Sequence, residues 1–226
     1  MTHTAIITGG TGGLGAAVTR RFLDDGWRAV VPWVHEAELE RVERRDGLEL
    51  VQADLFDPDA ARAVADAAGE STRAVVNLVG GFHAGGRVHE SPVSDLQDQL
   101  RVNLEPAWLV TGAALPAMLA AGEGSVVCVS SRTALQPFSG GAAYAVAKAA
   151  VLAFVDALHV EYVQDGIRAN AVLPSIIDTP ANRASMPDAD PATWVTAGQI
   201  AATIAVLCGP DTAVTSGAHI PVYGRA

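Results

Sequence analysis

Cysteine is nearly absent. The two thiols, Cys128 in an apolar strand-like run and Cys208 near the end of a helix-like run, have no neighbouring cysteine and no metal-ligand spacing. Buried free thiols are expected, not a disulfide. The six histidines are scattered without paired-ligand spacing, so no metal site is assigned. Positive charge is also short: 15 Lys and Arg face 25 Asp and Glu, a formal net charge of −10. With no basic cluster, a nucleic acid or an anionic membrane is not an expected partner. No signal-peptide pattern precedes the strand-like run Thr4-Ala5-Ile6-Ile7, and no apolar run approaches the length needed to cross a bilayer. A soluble, cytoplasmic protein is therefore expected. No Pro/Ser-rich linker, repeat or low-complexity tract divides the chain, and neither Ser130 nor Ser131 sits in a Gly-x-Ser-x-Gly elbow, which disfavours a serine hydrolase.

What remains is a chain of 226 residues, half of them hydrophobic and 18% charged, enough for a substantial core. Short β-branched runs alternate with longer Ala/Leu-periodic stretches. Strands are expected at about 4–8, 28–33, 49–53, 74–79, 124–130, 167–173 and 218–222, and helices at about 13–25, 36–45, 58–69, 95–121, 142–165 and 197–208. Continuously apolar strands such as Ala74-Val75-Val76-Asn77-Leu78-Val79 suit a parallel sheet covered on both faces. The expected fold class is α/β: a single doubly wound Rossmann-type domain over 1–226, with about seven parallel strands and helices on both faces. Three irregular stretches, about 81–93, 132–141 and 175–197, each follow a strand. All three should gather at the carboxyl edge of the sheet, where ligands bind.

The first strand runs into Thr8-Gly9-Gly10-Thr11-Gly12-Gly13-Leu14-Gly15. Glycines let the backbone turn tightly and approach a pyrophosphate, and the following helix offers its amides and dipole. The placement, after the first strand and opening the first helix, is what a dinucleotide fingerprint requires. Further on, Tyr144 and Lys148 stand four residues apart in Tyr-Ala-Val-Ala-Lys, on one helical face. An ammonium there is expected to lower the phenol pKa from its ordinary value of about 10, making a general acid and base for an alcohol or carbonyl oxygen. Ser131, thirteen residues earlier (144 − 131), closes a strand-like run and could hold that same oxygen. Asn103 sits mid-helix, where asparagine is a poor helix former. It reads either as the anchor of a water relaying protons to Lys148 or as a side chain satisfied by nearby backbone.

Together, Thr8-Gly9-x-x-x-Gly13-x-Gly15, Asn103, Ser131, Tyr144 and Lys148 resemble the short-chain dehydrogenase/reductase family over nearly the whole chain. That resemblance implies an NAD(P)-dependent oxidoreductase interconverting an alcohol and a carbonyl. Its catalytic residues would be Asn103, Ser131, Tyr144 and Lys148. The cofactor would be held by Gly9, Thr11, Gly12, Gly13, Leu14 and Gly15, by Trp33, by Asp54 and Leu55 near the adenine, by Asn77, Val79 and Gly80 near the ribose, by Tyr144 and Lys148, and by Pro174, Ile177 and Thr179 near the carboxamide. It also implies a homodimer or homotetramer formed through the helices at 95–121 and 142–165. Two departures, Asn77-Leu78-Val79-Gly80 and Pro174-Ser175, do not obviously disable cofactor binding. A third bears on cofactor choice. Trp33 stands where NAD-preferring members carry Asp, so a carboxylate that would repel a 2′-phosphate is missing there, and His35 is the only nearby candidate to receive one. The balance leans to NADP.

The segment from Leu173 to Asp190 resembles that of the dihydropteridine reductase branch, although Ser131 and Trp33 fit an ordinary carbonyl reductase better. Phe82, His83, Phe138, Met186 and Trp194 could shape a pocket for a small, moderately apolar carbonyl compound. Rival readings are a dihydropteridine reductase-like activity, an NAD(P)H-sensing regulator, and a lyase or epimerase. The intact relay argues against a sensor, and the short chain against a lyase or epimerase.

Overall fold

The β-branched runs form strands β1 (Thr4–Thr8), β2 (Arg28–Trp33), β3 (Leu48–Gln52), β4 (Thr72–Asn77), β5 (Gly124–Val129), β6 (Ile167–Pro174), β7 (Ile177–Asp178), β8 (Val195–Thr196) and β9 (His219–Val222). Between them run helices α1 (Gly15–Asp24), α2 (Pro58–Ala68), α3 (Val93–Ala121), α4 (Ala142–Tyr162), α5 (Pro180–Ser185) and α6 (Ala197–Cys208). The computed structural model describes residues 2–225. Seven strands form one parallel sheet in the order β3-β2-β1-β4-β5-β6-β9, and β7 pairs with β8 apart from it.

The order reverses between β1 and β4, which both extend from the centre of the sheet. A crevice opens at such a switch point, beyond the carboxyl ends of the strands. Alternate side chains of each strand feed opposite faces. Ile6, Val30, Val75 and Val126 pack beneath α2, α3 and α4, while Ala5, Ile7, Val31 and Val76 pack beneath α1 and α6. The two apolar layers explain why the strands lack hydrophobic alternation.

Local chemistry sets the element ends. Asp57 caps α2 by accepting from Asp59 N–H, with Pro58 in the first helical position. Thr196 and Gln199 form a capping box on α6. Gly122 ends α3 at φ +67°, a left-handed conformation that favours glycine.

Three expectations are corrected. Residues 36–45 do not form a regular helix: Glu36–Arg41 is a 3-10 turn, and Val42 is already extended. Glu38 is drawn back onto His35 N–H and Thr11, and Arg45 is tied to Asp24 on α1, so the segment follows its neighbours rather than its own periodicity. The stretch 175–197 is not irregular throughout, because β7, α5 and β8 lie within it. Finally, Val93–Ala121 and Ala142–Asp165 are long and apolar enough to cross a membrane by length and composition alone. Here their apolarity serves packing, since both helices line the core beneath the sheet and pack against each other.

Candidate active site

The glycine turn after β1 is built by close backbone approach. A β-carbon on Gly15 would lie 2.0 Å from Gly9 O, and one on Gly10 would lie 2.8 Å from both Thr19 Oγ1 and Val31 Cγ1. Gly9 has φ +65° and abuts the exit of β4, where its β-carbon would stand 3.2 Å from Val79 N. Gly13 faces the opposite rim: its β-carbon would come within 3.2 Å of Thr179 Cγ2. Thr179 caps α5, accepting from Asn182 N–H, which fixes it at that rim. Gly9 to Gly15, Val79, Gly80 and Thr179 thus border one slot at the switch point, with Pro174 and Ile177 on the approach to Thr179. The glycines let the turn fold tightly on itself and against Val79 and Thr179, and the turn presents amides at the start of α1, which fits the phosphates of a dinucleotide.

At the reacting end, Lys148 and Ser130 clamp α4 to β5. Lys148 Nζ donates to Val129 O at 3.1 Å, and Ser130 Oγ donates to Lys148 O at 2.8 Å. Ser130 is therefore structural. Ser131 points elsewhere: its Oγ accepts from Thr133 N–H at 3.1 Å, and it lies close enough to the Tyr144 phenol to favour the phenolate. Asn103 is buried and spans from α3 to the loop after β4. Its Nδ2 donates to Gly81 O and Gln99 O, both at 3.0 Å, and its Oδ1 accepts from Gly81 N–H at 3.2 Å. A β-carbon on Gly80 would fall 2.7 Å from Asn103 Oδ1 and 3.0 Å from Lys148 Nζ, so only glycine lets these groups meet. The Asn103 side chain thus bonds to backbone and holds the loop beside Lys148.

The electrostatics differ from expectation. Burial pushes the Tyr144 phenol above its ordinary value, and the Ser131 hydrogen bond pulls against that. Lys148 Nζ lies 5.8 Å from the Tyr144 ring centroid and donates to Val129 O. Burial brings Lys148 itself down to about 8. It is the only lysine in the chain.

Other expected site residues are placed differently. Leu55 is buried in the core. Asn77 turns inward: Nδ2 donates to Thr111 Oγ1 at 3.0 Å and Oδ1 is buried without a hydrogen-bond partner. Asp54 is exposed beyond β3 and accepts from Phe56 N–H. Trp33 is half-buried at the end of β2, its carbonyl accepting from Ala53 N–H. Leu14 packs against the core beside α1. Of the rim residues, Phe82 stands edge-on to Tyr144 at 5.0 Å and near Phe138 at 6.3 Å, whereas Trp194 is buried. Glu38 was not among the expected site residues. Its carboxylate accepts from Thr11 Oγ1 at 2.6 Å, and the spacing His35-x-x-Glu38, able to fold a side chain back onto a turn, was the available signal.

The family model described as short chain dehydrogenase matches residues 3–190. A 2-(R)-hydroxypropyl-CoM dehydrogenase of Xanthobacter autotrophicus is 31% identical, over 99% of this chain and 98% of its own. A 2,5-dichloro-2,5-cyclohexadiene-1,4-diol dehydrogenase of Sphingobium indicum is 33% identical, over 81% of this chain and 76% of its own. The structure of ElxO with NADP bound superposes with a TM-score of 0.92 at 22% identity, over 99% of this chain and 98% of that one, a likeness of fold.

Proposed function

The chain belongs to the short chain dehydrogenase family, and from that premise we propose that Tyr144 moves the proton in its NAD(P)-dependent interconversion of an alcohol and a carbonyl. When bound, the nicotinamide cofactor supplies or accepts the hydride. In reduction the Tyr144 phenol donates its proton to the carbonyl oxygen, and in oxidation the phenolate takes it from the alcohol. Ser131 holds the same oxygen and steadies its developing charge, while its bond to Tyr144 favours the phenolate. Lys148 would hold the nicotinamide ribose and hand protons on toward the phenol: one of its three donors goes to Val129 O, and Nζ lies alongside Gly80. Asn103 fixes the Gly80–Gly81 backbone beside Lys148. The observation carrying this reading is the buried Lys148, held on Val129 O at the end of β5, next to the Tyr144 ring at 5.8 Å with Ser131 beside the phenol.

The substrate is a small, moderately apolar carbonyl compound. Phe82 stands against the phenol with Phe138 behind it, and Ala143, the residue before Tyr144, lines a cavity of about 310 Å³ together with His83, Val88, Asp95, Leu96 and Val146. Under the same reading residues 1–226 act as one domain, with 81–93, 132–141 and 175–197 as substrate loops. The enzyme is cytoplasmic, needs no metal, nucleic acid or membrane, and forms a homodimer or homotetramer.

The test is oxidation of NADH and NADPH, measured separately against ketones, aldehydes, 3-oxoacyl esters and quinonoid dihydropterin. With whichever substrate turns over, Tyr144→Phe should lose roughly 10²- to 10⁴-fold in kcat, the range of a removed general acid, and still bind dinucleotide. Full turnover by that variant would rule out the proton donor.

A further inference from the structure

Trp33 closes β2 without a carboxylate, yet one reaches the same place from five residues further along the chain (38 − 33). The 3-10 turn over Glu36–Arg41 folds Glu38 back toward the strand ends. Its Oε2 accepts from Thr11 Oγ1 at 2.6 Å, and its Oε1 accepts from His35 N–H at 3.2 Å. Thr11 is buried within the glycine turn after β1, and His35 lies just beyond β2. The carboxylate therefore bridges the carboxyl ends of β1 and β2, the gap over which the adenosine ribose of a dinucleotide lies in such a sheet. Glu38 is half-buried, and no lysine or arginine pairs with it among the described residues. Arg45, from the same segment, is engaged with Asp24 at 2.6 Å.

We propose that Glu38 sets the choice of dinucleotide, accepting the ribose 2′-hydroxyl and disfavouring a 2′-phosphate, so that the enzyme binds NAD(H) more tightly than NADP(H). The proposal rests on reading the glycine turn as a dinucleotide site. The two carboxylate oxygens hold only the Thr11 hydroxyl and His35 N–H, so lone pairs remain to accept a ribose hydroxyl without displacing either donor. A 2′-phosphate dianion offers no such donor and sets like charges a few ångströms apart, where water screens them only partly. The proposal runs against the lean toward NADP drawn from Trp33. The missing acidic side chain at the end of β2 is supplied by a turn that brings its own.

The test is calorimetric titration of the purified protein with NAD⁺ and, separately, NADP⁺, for the wild type and for Glu38→Gln. The wild type should bind NAD⁺ at least about tenfold more tightly, the scale of one partly screened like-charge contact. Glu38→Gln should narrow that ratio to within about threefold, mainly by tightening NADP⁺, and raised salt should narrow it in the wild type. Glu38→Ala should narrow it as well, which separates the charge from the shape of the amide. Equal or tighter binding of NADP⁺ by the wild type, or a ratio unchanged in both variants, overturns the proposal while leaving the dinucleotide site intact. Failure to bind either dinucleotide overturns the proposal together with the reading of the glycine turn beneath it.

Discussion

Lys148 is costly where it stands. It is the single lysine of the chain, it is buried, and burial lowers it from 10.5 to about 8. The folded-state value lies below the unfolded one, so the unfolded chain holds this proton more tightly. Below about pH 8 the ammonium is present in both states and the full penalty, about 3 kcal/mol, is felt. Between pH 8 and 10.5 the folded state sheds the proton first, and this residue's contribution makes stability rise with pH. Methionine fills a similar volume without charge, at the loss of the bond to Val129 O, worth about 1 kcal/mol. Lys148→Met should therefore abolish turnover and yet raise the thermal midpoint at pH 7 by several degrees, at about 2–4 °C per kcal/mol for a chain of this size. The gain should shrink when melting is repeated near pH 10. A lower midpoint at pH 7 would mean that the ammonium stabilises the fold, against the burial argument.

At the scale of elements, the glycine turn separates two kinds of glycine. Gly15 is closed by backbone on all sides, with Gly10 Cα 2.6 Å and Gly9 O 2.0 Å from an added β-carbon, so Gly15→Ala should disrupt the β1–α1 junction and lower stability sharply. Gly13 meets only the side chain of Thr179. Gly13→Val should therefore keep its circular dichroism and melt near the wild type while losing roughly tenfold or more in dinucleotide affinity, because the added methyls fill the slot that glycine leaves for the backbone's close approach. Unchanged affinity would place the dinucleotide elsewhere. The sequence made this turn readable because its glycines are demanded locally, by a tight strand-to-helix passage. Ser131, Tyr144 and Lys148 were readable for a similar reason: spacing along one strand end and one helix fixes their relation. Glu38 was not, because its position depends on Thr11, 27 residues away in sequence, and on a 3-10 turn that overrides the local helical pattern. The raised phenol of Tyr144 was equally hidden, since spacing reports which groups share a face but not how much water each has lost.

The whole molecule shows an asymmetry between its two covered faces. On one, α1 and α6 carry few exposed large apolar side chains. On the other, α3 and α4 bury one side against the sheet and leave Trp108, Leu119 and Val160 exposed. Trp108 is 60% exposed and rests on Phe154 of α4 at 5.2 Å between ring centroids, so it bridges the two helices at their outer surface. Val160 is 76% exposed near the end of α4. Large apolar side chains grouped on one face are what a self-association surface requires, and aromatic residues commonly anchor such surfaces. Two-fold pairing would bring α3 and α4 of each copy against those of the other and bury these residues twice over. Val160→Glu, which touches no core residue of its own chain's site, should then shift the sedimentation profile toward monomer without lowering the monomer's melting temperature by more than a few degrees. Trp108→Glu should do the same with a larger stability loss, because it also gives up the contact with Phe154. A wild-type protein that sediments as a monomer at all concentrations would remove the role proposed for this face. A multimer unaffected by either glutamate would move the interface off α3 and α4.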